Sequence, residues 1–201
     1  MSGERRLDPA HPFFALQRPV VLERCGLVDP DCIDDALAQG AYASLERCRQ
    51  RPAAKVLEEV VRSGLRGRGG AGYPTGRKWQ QVAAASDAHK VVVCNADEGD
   101  PGARSVMEGD PHRLLEGIAI ADQAVGAAEA FTYVRAEYTL AIERLRRAIA
   151  AATDRGLLAG LPIQLRIGAG AYVCGEETAL LHSIEGGRPI RRFRGCGACP
   201  L

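Results

Sequence analysis

Gly64-Leu65-Arg66-Gly67-Arg68-Gly69-Gly70-Ala71-Gly72-Tyr73-Pro74-Thr75-Gly76-Arg77-Lys78-Trp79 is the stretch on which the reading of this chain turns. Six of its sixteen residues are glycine. Side-chain bulk is therefore low, the backbone can take positive φ, and its N–H groups can approach a ligand closely. Arg66, Arg68, Arg77 and Lys78 set fixed positive charge around that backbone, and Tyr73 and Trp79 add flat apolar faces. Amides ringed by cations suit a phosphate, and an adjacent aromatic suits a planar ring. A flexible basic loop is the plainer reading of the glycine content alone.

Two nucleotide-binding motifs fail here. Gly67, Gly69 and Gly72 satisfy G-x-G-x-x-G, but the dinucleotide fingerprint needs a strand before its glycines, and residues 52–63 read as a helix. The phosphate loop of nucleotide triphosphatases fails as well. Gly76 is followed by Arg77, and Trp79 stands after Lys78 where a magnesium-binding hydroxyl belongs.

A length of 201 residues fits one domain, or one domain with an N-terminal extension, and 46% apolar residues are ample for a core. A net charge of +1 with no long basic run argues against a nucleic-acid partner. No apolar window reaches membrane-spanning length, and Met1-Ser2-Gly3-Glu4-Arg5-Arg6 leads into no apolar signal region. Seven scattered cysteines suit a reducing cytoplasm better than a disulfide framework.

Outward from the glycine-rich stretch, residues 1–28 read as an extended arm. Asp29-Pro30 predicts a helix start, with helices to about 39, over 41–49 and over 52–63, where Val56, Leu57, Val60 and Val61 form an apolar stripe and Gly64 ends the run. Beyond it, the β-branched run 90–94 predicts a buried strand. Asp110-Pro111 opens another helix, 131–135 is a second strand, 139–152 a helix, 163–167 a third strand and 175–184 a last helix. This alternation predicts a right-handed, mainly parallel, three-layer α/β domain.

Ligands of such sheets sit beyond the carboxyl ends of the strands. Two loops fall there. Asn95-Ala96-Asp97-Glu98-Gly99-Asp100-Pro101-Gly102 offers an amide and carboxylates able to bind sugar hydroxyls or a heterocycle edge, although taken by itself it reads first as an acidic Gly/Pro turn with solvated carboxylates. Gly168-Ala169-Gly170-Ala171-Tyr172-Val173-Cys174-Gly175-Glu176-Glu177-Thr178 joins the third strand to the last helix, with two carboxylates placed either for a ligand or for the helix dipole. His112 and His182 have no partners at metal-ligand spacing and read as structural, as do Cys94 and Cys174.

In combination, these three stretches and Glu108-Gly109-Asp110-Pro111-His112 resemble the flavin-carrying, NADH-binding subunit of respiratory complex I. They also resemble its relatives in soluble NAD(P)-linked hydrogenases and formate dehydrogenases. The resemblance spans roughly residues 10 to 190. It implies a Rossmann-like domain over 64–190, preceded by an N-terminal arm and helices over 1–63. FMN would be the bound cofactor and NAD(P)H its hydride donor, with electrons leaving towards an iron–sulfur chain; the cofactor carries that chemistry.

Carried over by motif, Gly67, Arg68, Gly69, Gly70, Gly72 and Lys78 would hold the FMN phosphate and its surroundings. Asn95, Asp97 and Glu98 would contact the ribitol and ring, and Tyr172, Gly175, Glu176 and Glu177 would frame the flavin and nicotinamide side. Tyr73 would stack on the adenine, and Asp100 would accept from the nicotinamide side. No acid or base is required of the protein and no resident metal is expected. Partners implied are a thioredoxin-like iron–sulfur protein and a larger dehydrogenase, hydrogenase or complex I-type assembly.

Three departures qualify the resemblance. The family carries a few more residues between the Gly-Asp-Pro-Gly turn and the Arg104-Ser105-Val106-Met107-Glu108 run, a shortening expected to reshape a loop. The β-grasp domain and the helical domain with its four-cysteine [4Fe–4S] motif are absent from the sequence. Residues 191–201 depart from the family's proline-rich continuation, and Cys196-x-x-Cys199 supplies two thiolates where a cluster needs four. A truncated remnant that keeps the fold without retaining flavin is the alternative to a working flavin module.

Overall fold

The computed structural model describes residues 11–68, 71–97, 101–168, 174 and 176–190. Its centre is a parallel sheet of β1 (Val91–Ala96), β2 (Glu129–Arg135) and β3 (Ile163–Gly168), in that spatial order. Ala96 pairs with Val134, which pairs with Ile167, so the three carboxyl ends finish level. The strands run one to two residues beyond the apolar stretches that predict them.

Side chains of a strand alternate between faces, and each face of this sheet meets different helices. Val92, Ala130 and Ile163 pack with α7 (Pro111–Val125) and α8 (Thr139–Asp154) in the principal core. Val134 and Leu165 continue that face with Met107 of α6 (Pro101–Gly109) and Leu145 of α8. On the opposite face, Val93 and Tyr133 meet Leu180 and Ile184 of α9 (Glu177–Ile184) together with Cys174. The result is helix, sheet and helix in three layers, as the alternation predicts.

The N-terminal helices belong to the same packing. Ala36 of α2 (Ile33–Ala38) and Leu45 of α3 (Ala43–Arg49) enter the principal core beside Leu115 and Ala119. Glu116 of α7 accepts from the backbone N–H groups of Ser44 at 2.9 Å and Leu45 at 3.1 Å, satisfying two orphan donors at the start of α3. Val56 of α4 (Ala53–Ser63) and Trp79 of α5 (Thr75–Ala84) pack on Ala124 and Val125.

Four local expectations change. Asp29 does not cap α2, which begins at Ile33 after Cys32; its carboxylate instead accepts from Asp31 N at 3.0 Å and closes a turn. The arm is not wholly extended, since Pro12–Ala15 forms one helical turn (α1) and residues 21–27 are turns. The shortened segment around Ala103 and Arg104 is helix α6, not a loop. Pro101 is tolerated in a first turn, and Arg104 pairs with Glu108 at 2.7 Å one turn on. Trp79, expected to offer a ring face, is half-buried in the α4–α5–α7 cluster.

Candidate functional site

The glycine-rich segment is closed by backbone hydrogen bonds. Gly67 N donates to Tyr73 O and Thr75 N donates to Leu65 O, each at 2.9 Å. Gly72 supplies the left-handed turn at φ +61°, and Arg66 Nη1 donates to Gly72 O at 3.1 Å. This pinch delivers the chain into α5 with Pro74 at the N-cap and no side chain capping the helix. An uncapped helix start with Arg77 and Lys78 in its first turn, and Arg66 and Arg68 just before it, is a donor set suited to a phosphate. Gly76 is there for packing, because a Cβ would stand 2.6 Å from Val61 Cγ2.

Lys78 Nζ lies 3.9 Å from Glu177 Oε2. This contact joins the glycine-rich segment to the segment after β3, so two of the three motif stretches meet. Glu177 is exposed, whereas Glu176 is the N-cap of α9. Glu176 Oε2 accepts from Thr178 N, Ala179 N and Thr178 Oγ1 at 3.1, 3.0 and 2.6 Å.

The third stretch stands at the end of β1. Asp97 is 3% exposed, and its Oδ1 accepts from Arg135 Nε at 2.6 Å. Its Oδ2 is buried and has no hydrogen-bond partner among the described residues. Asn95 Oδ1 accepts from Asp97 N at 3.0 Å and fixes the turn. Burial pushes the Asp97 carboxyl above the usual carboxylate range, the Arg135 guanidinium opposes that rise, and Glu137 adds to it. A buried acceptor lacking a donor is a place where a bound hydroxyl or water completes the hydrogen bonding. The residues present therefore fit a phosphorylated, polyhydroxylated cofactor at two ends, cationic at α5 and acidic at β1.

Tyr73 is 44% exposed, and its hydroxyl donates to Gln81 Oε1 at 3.2 Å, leaving a ring face available. Gly67 and Arg68 lie on the exposed pinch. Gly69, Gly70, Glu98, Asp100, Tyr172 and Gly175 lie outside the described residues, as do Cys196 and Cys199. Among the described residues no group of His, Cys, Asp and Glu could hold a metal ion. His112 is buried against Tyr42, with its Nδ1 2.9 Å from Tyr42 Oη, in keeping with a structural role. Cys25, Cys32, Cys48, Cys94 and Cys174 are unbridged.

Sequence reasoning passed over Arg135. It ends β2 beside the end of β1, which Asp97 follows, and only the strand register brings the two together.

The family model described as the Nuo51 FMN-binding domain matches residues 60–195. The chain belongs to that family. Among similar proteins, the HndC component of the NADP-reducing hydrogenase of Solidesulfovibrio fructosivorans is 47% identical over 188 residues, covering 88% of this chain and 38% of that one. An F-type component of the NADH-quinone oxidoreductase of Rhizobium meliloti (strain 1021) is 42% identical over 188 residues, covering 88% and 45%. The F-type component of the Aquifex aeolicus (strain VF5) NADH-quinone oxidoreductase is 44% identical over 173 residues, covering 81% and 40%.

A crystal structure of NAD+-reducing [NiFe]-hydrogenase in the air-oxidized state superposes with a TM-score of 0.69 at 38% identity, over 77% of this chain and 27% of that one. The chain thus spans less than half the length of these relatives. FMN is the cofactor of the domain family, and the family is one of oxidoreductases. Among the described residues no helix of the FMN-binding domain is long and apolar enough to cross a membrane.

Proposed function

We propose that this chain is the FMN-holding part of an NAD(P)H dehydrogenase of diaphorase type, with residues 64–190 carrying the contacts and 1–63 forming an arm and supporting helices. The observation that carries the reading is the Lys78–Glu177 contact, which draws the cationic start of α5 to the acidic start of α9. Gly67, Arg68, Gly69, Gly70, Gly72 and Lys78 bind the phosphate end. Asn95, Asp97 and Glu98 bind the ribityl chain and ring edge. Tyr172, Gly175, Glu176 and Glu177 border the ring, Tyr73 offers its exposed face to an adenine, and Asp100 accepts from the nicotinamide side.

When bound, FMN supplies the hydride-accepting and single-electron chemistry. The protein's residues bind, orient and screen from water, and none needs to move a proton. The relatives' names place them in hydrogenase and quinone-reductase assemblies. By that likeness the chain works in the cytoplasm within a larger complex, beside an iron–sulfur protein of thioredoxin-like type.

Anaerobic FMN titration of the purified chain, followed by NADH addition, tests the reading. Saturable binding and loss of the flavin's visible absorbance on NADH addition are expected. A folded chain that takes up no FMN overturns it and leaves the fold-keeping remnant.

A further inference from the structure

Asp97 and Arg135 form a half-buried pair at the level carboxyl ends of β1 and β2, with side-chain exposures of 2% and 21%. One oxygen of Asp97 is committed to Arg135 Nε and the other is a buried acceptor with no partner among the described residues. An unsatisfied buried carboxylate oxygen is costly, so a fold that keeps one gains little stability from the group itself. Arg135 is held in turn: its Cζ lies 5.9 Å from the centroid of the Tyr138 ring, and the Arg104 guanidinium occupies the same ring at 5.3 Å. Arg104 is itself tied to Glu108. The chain α6–Tyr138–Arg135–Asp97 is thus a brace that ends on one carboxylate.

We propose that Arg135 is a positioning residue for flavin binding: it fixes the rotamer of Asp97, so that the second carboxylate oxygen serves as acceptor for a ribityl hydroxyl. This rests on the reading of Asp97 as a flavin contact. The charged and titratable groups around Asp97 divide clearly. Burial and Glu137 favour the neutral acid, the Asp97 charge in turn helps hold Tyr133 as the neutral phenol, and Arg135 alone among these favours the carboxylate. Without the guanidinium, Asp97 takes up a proton at higher pH and its second oxygen ceases to be a charged acceptor.

The test titrates riboflavin and FMN into the full chain and its Arg135→Gln, Arg135→Lys and Asp97→Asn variants between about pH 5 and 8, following flavin fluorescence. Riboflavin lacks the phosphate, so the start of α5 does not enter its affinity or its pH profile. Arg135→Gln is expected to weaken riboflavin about tenfold at neutral pH, the scale of one hydrogen bond to a charged group. The same variant should move the acid-side loss of binding to higher pH, with Arg135→Lys in between.

Wild-type affinity and profile in Arg135→Gln, while Asp97→Asn binds weakly, overturn the proposal alone. A pH-independent loss in Arg135→Gln that Lys does not rescue also overturns it, since that is a structural effect. Wild-type riboflavin affinity in Asp97→Asn, or no flavin uptake by the wild type, removes instead the reading on which it rests. Should Arg135→Gln fail to fold, the midpoint of Arg135→Lys decides: unshifted, the proposal falls.

Discussion

Gly76 meets Val61 so closely that a Cβ on it would stand 2.6 Å from Val61 Cγ2 and 2.7 Å from both Val61 Cα and Val61 N. Two of those three atoms are backbone and cannot rotate away. Gly76→Ala should therefore force α5 off α4 and lower the unfolding free energy by about 1–3 kcal/mol, the usual cost of overpacking. Urea melts followed by circular dichroism measure it. An unchanged midpoint would show that α4 and α5 separate without strain.

Lys78 shares the first turn of α5 with Gly76. Removing its charge in Lys78→Met should weaken FMN by about 10-fold or more, the scale of a hydrogen bond to a charged group, and leave riboflavin unaffected. Parallel fluorescence titrations of the two flavins give the comparison. Equal losses for both would place Lys78 away from the phosphate.

His112 offers a prediction in pH. Burial holds its imidazole below the ordinary histidine value, and this outweighs the upward pull of Asp110. The folded state therefore resists a proton that the unfolded chain accepts near pH 6.5. Stability is fully present above about 6.5 and is lost as pH falls below it. Melting temperature should drop between about pH 7 and 5 with a slope that His112→Asn reduces. Tyr42→Phe, which removes the 2.9 Å bond to Nδ1, should cost about 1 kcal/mol at neutral pH.

Asp110 is 1% exposed, caps α7 through Arg113 N and pairs with Arg24 Nε at 2.7 Å. Asp110→Ala removes the cap and leaves Arg24 without this carboxylate in a largely buried setting, for an expected loss of about 3–5 kcal/mol. A loss under about 1 kcal/mol in a denaturant melt would mean that the pair is solvent-screened.

The layers of the fold were legible because their signals are periodic. Val91, Val92 and Val93 announce a strand, and Leu115, Ile118 and Val125 a buried helix face. Asp110-Pro111 marks the start of α7 correctly because side chain and ring both suit a helix N-terminus. Asp29-Pro30 has the same wording and makes a turn, a choice that Asp35 fixes by accepting from Asp29 N at 2.6 Å. Such a tertiary or medium-range bond leaves no trace in a dipeptide. Pro101-Gly102 misleads in the opposite direction, since a proline and a glycine open a helix there.

At the site, glycine content and cations pointed to the pinch before α5. Trp79 could not be assigned from composition, because a tryptophan beside a cationic loop looks the same whether it faces a ligand or a core. Arg135 was hidden for another reason. Its meaning lies in a neighbour 38 positions away, and only the register of β1 on β2 brings the two together.

Glu116 accepts two backbone N–H groups from the start of α3, and Leu45 lies in the core with Leu115. The stretch that marks the family begins at residue 60, after both of those partners. The family model's match is therefore shorter than the unit that must fold together, whereas the likeness to the relatives, over 88% of the chain, reaches further towards the N-terminus. A fragment cut at residue 60 would uncover the flank of α7 and strip Glu116 of its two backbone donors, so it would hold the matched stretch without the packing that keeps its shape.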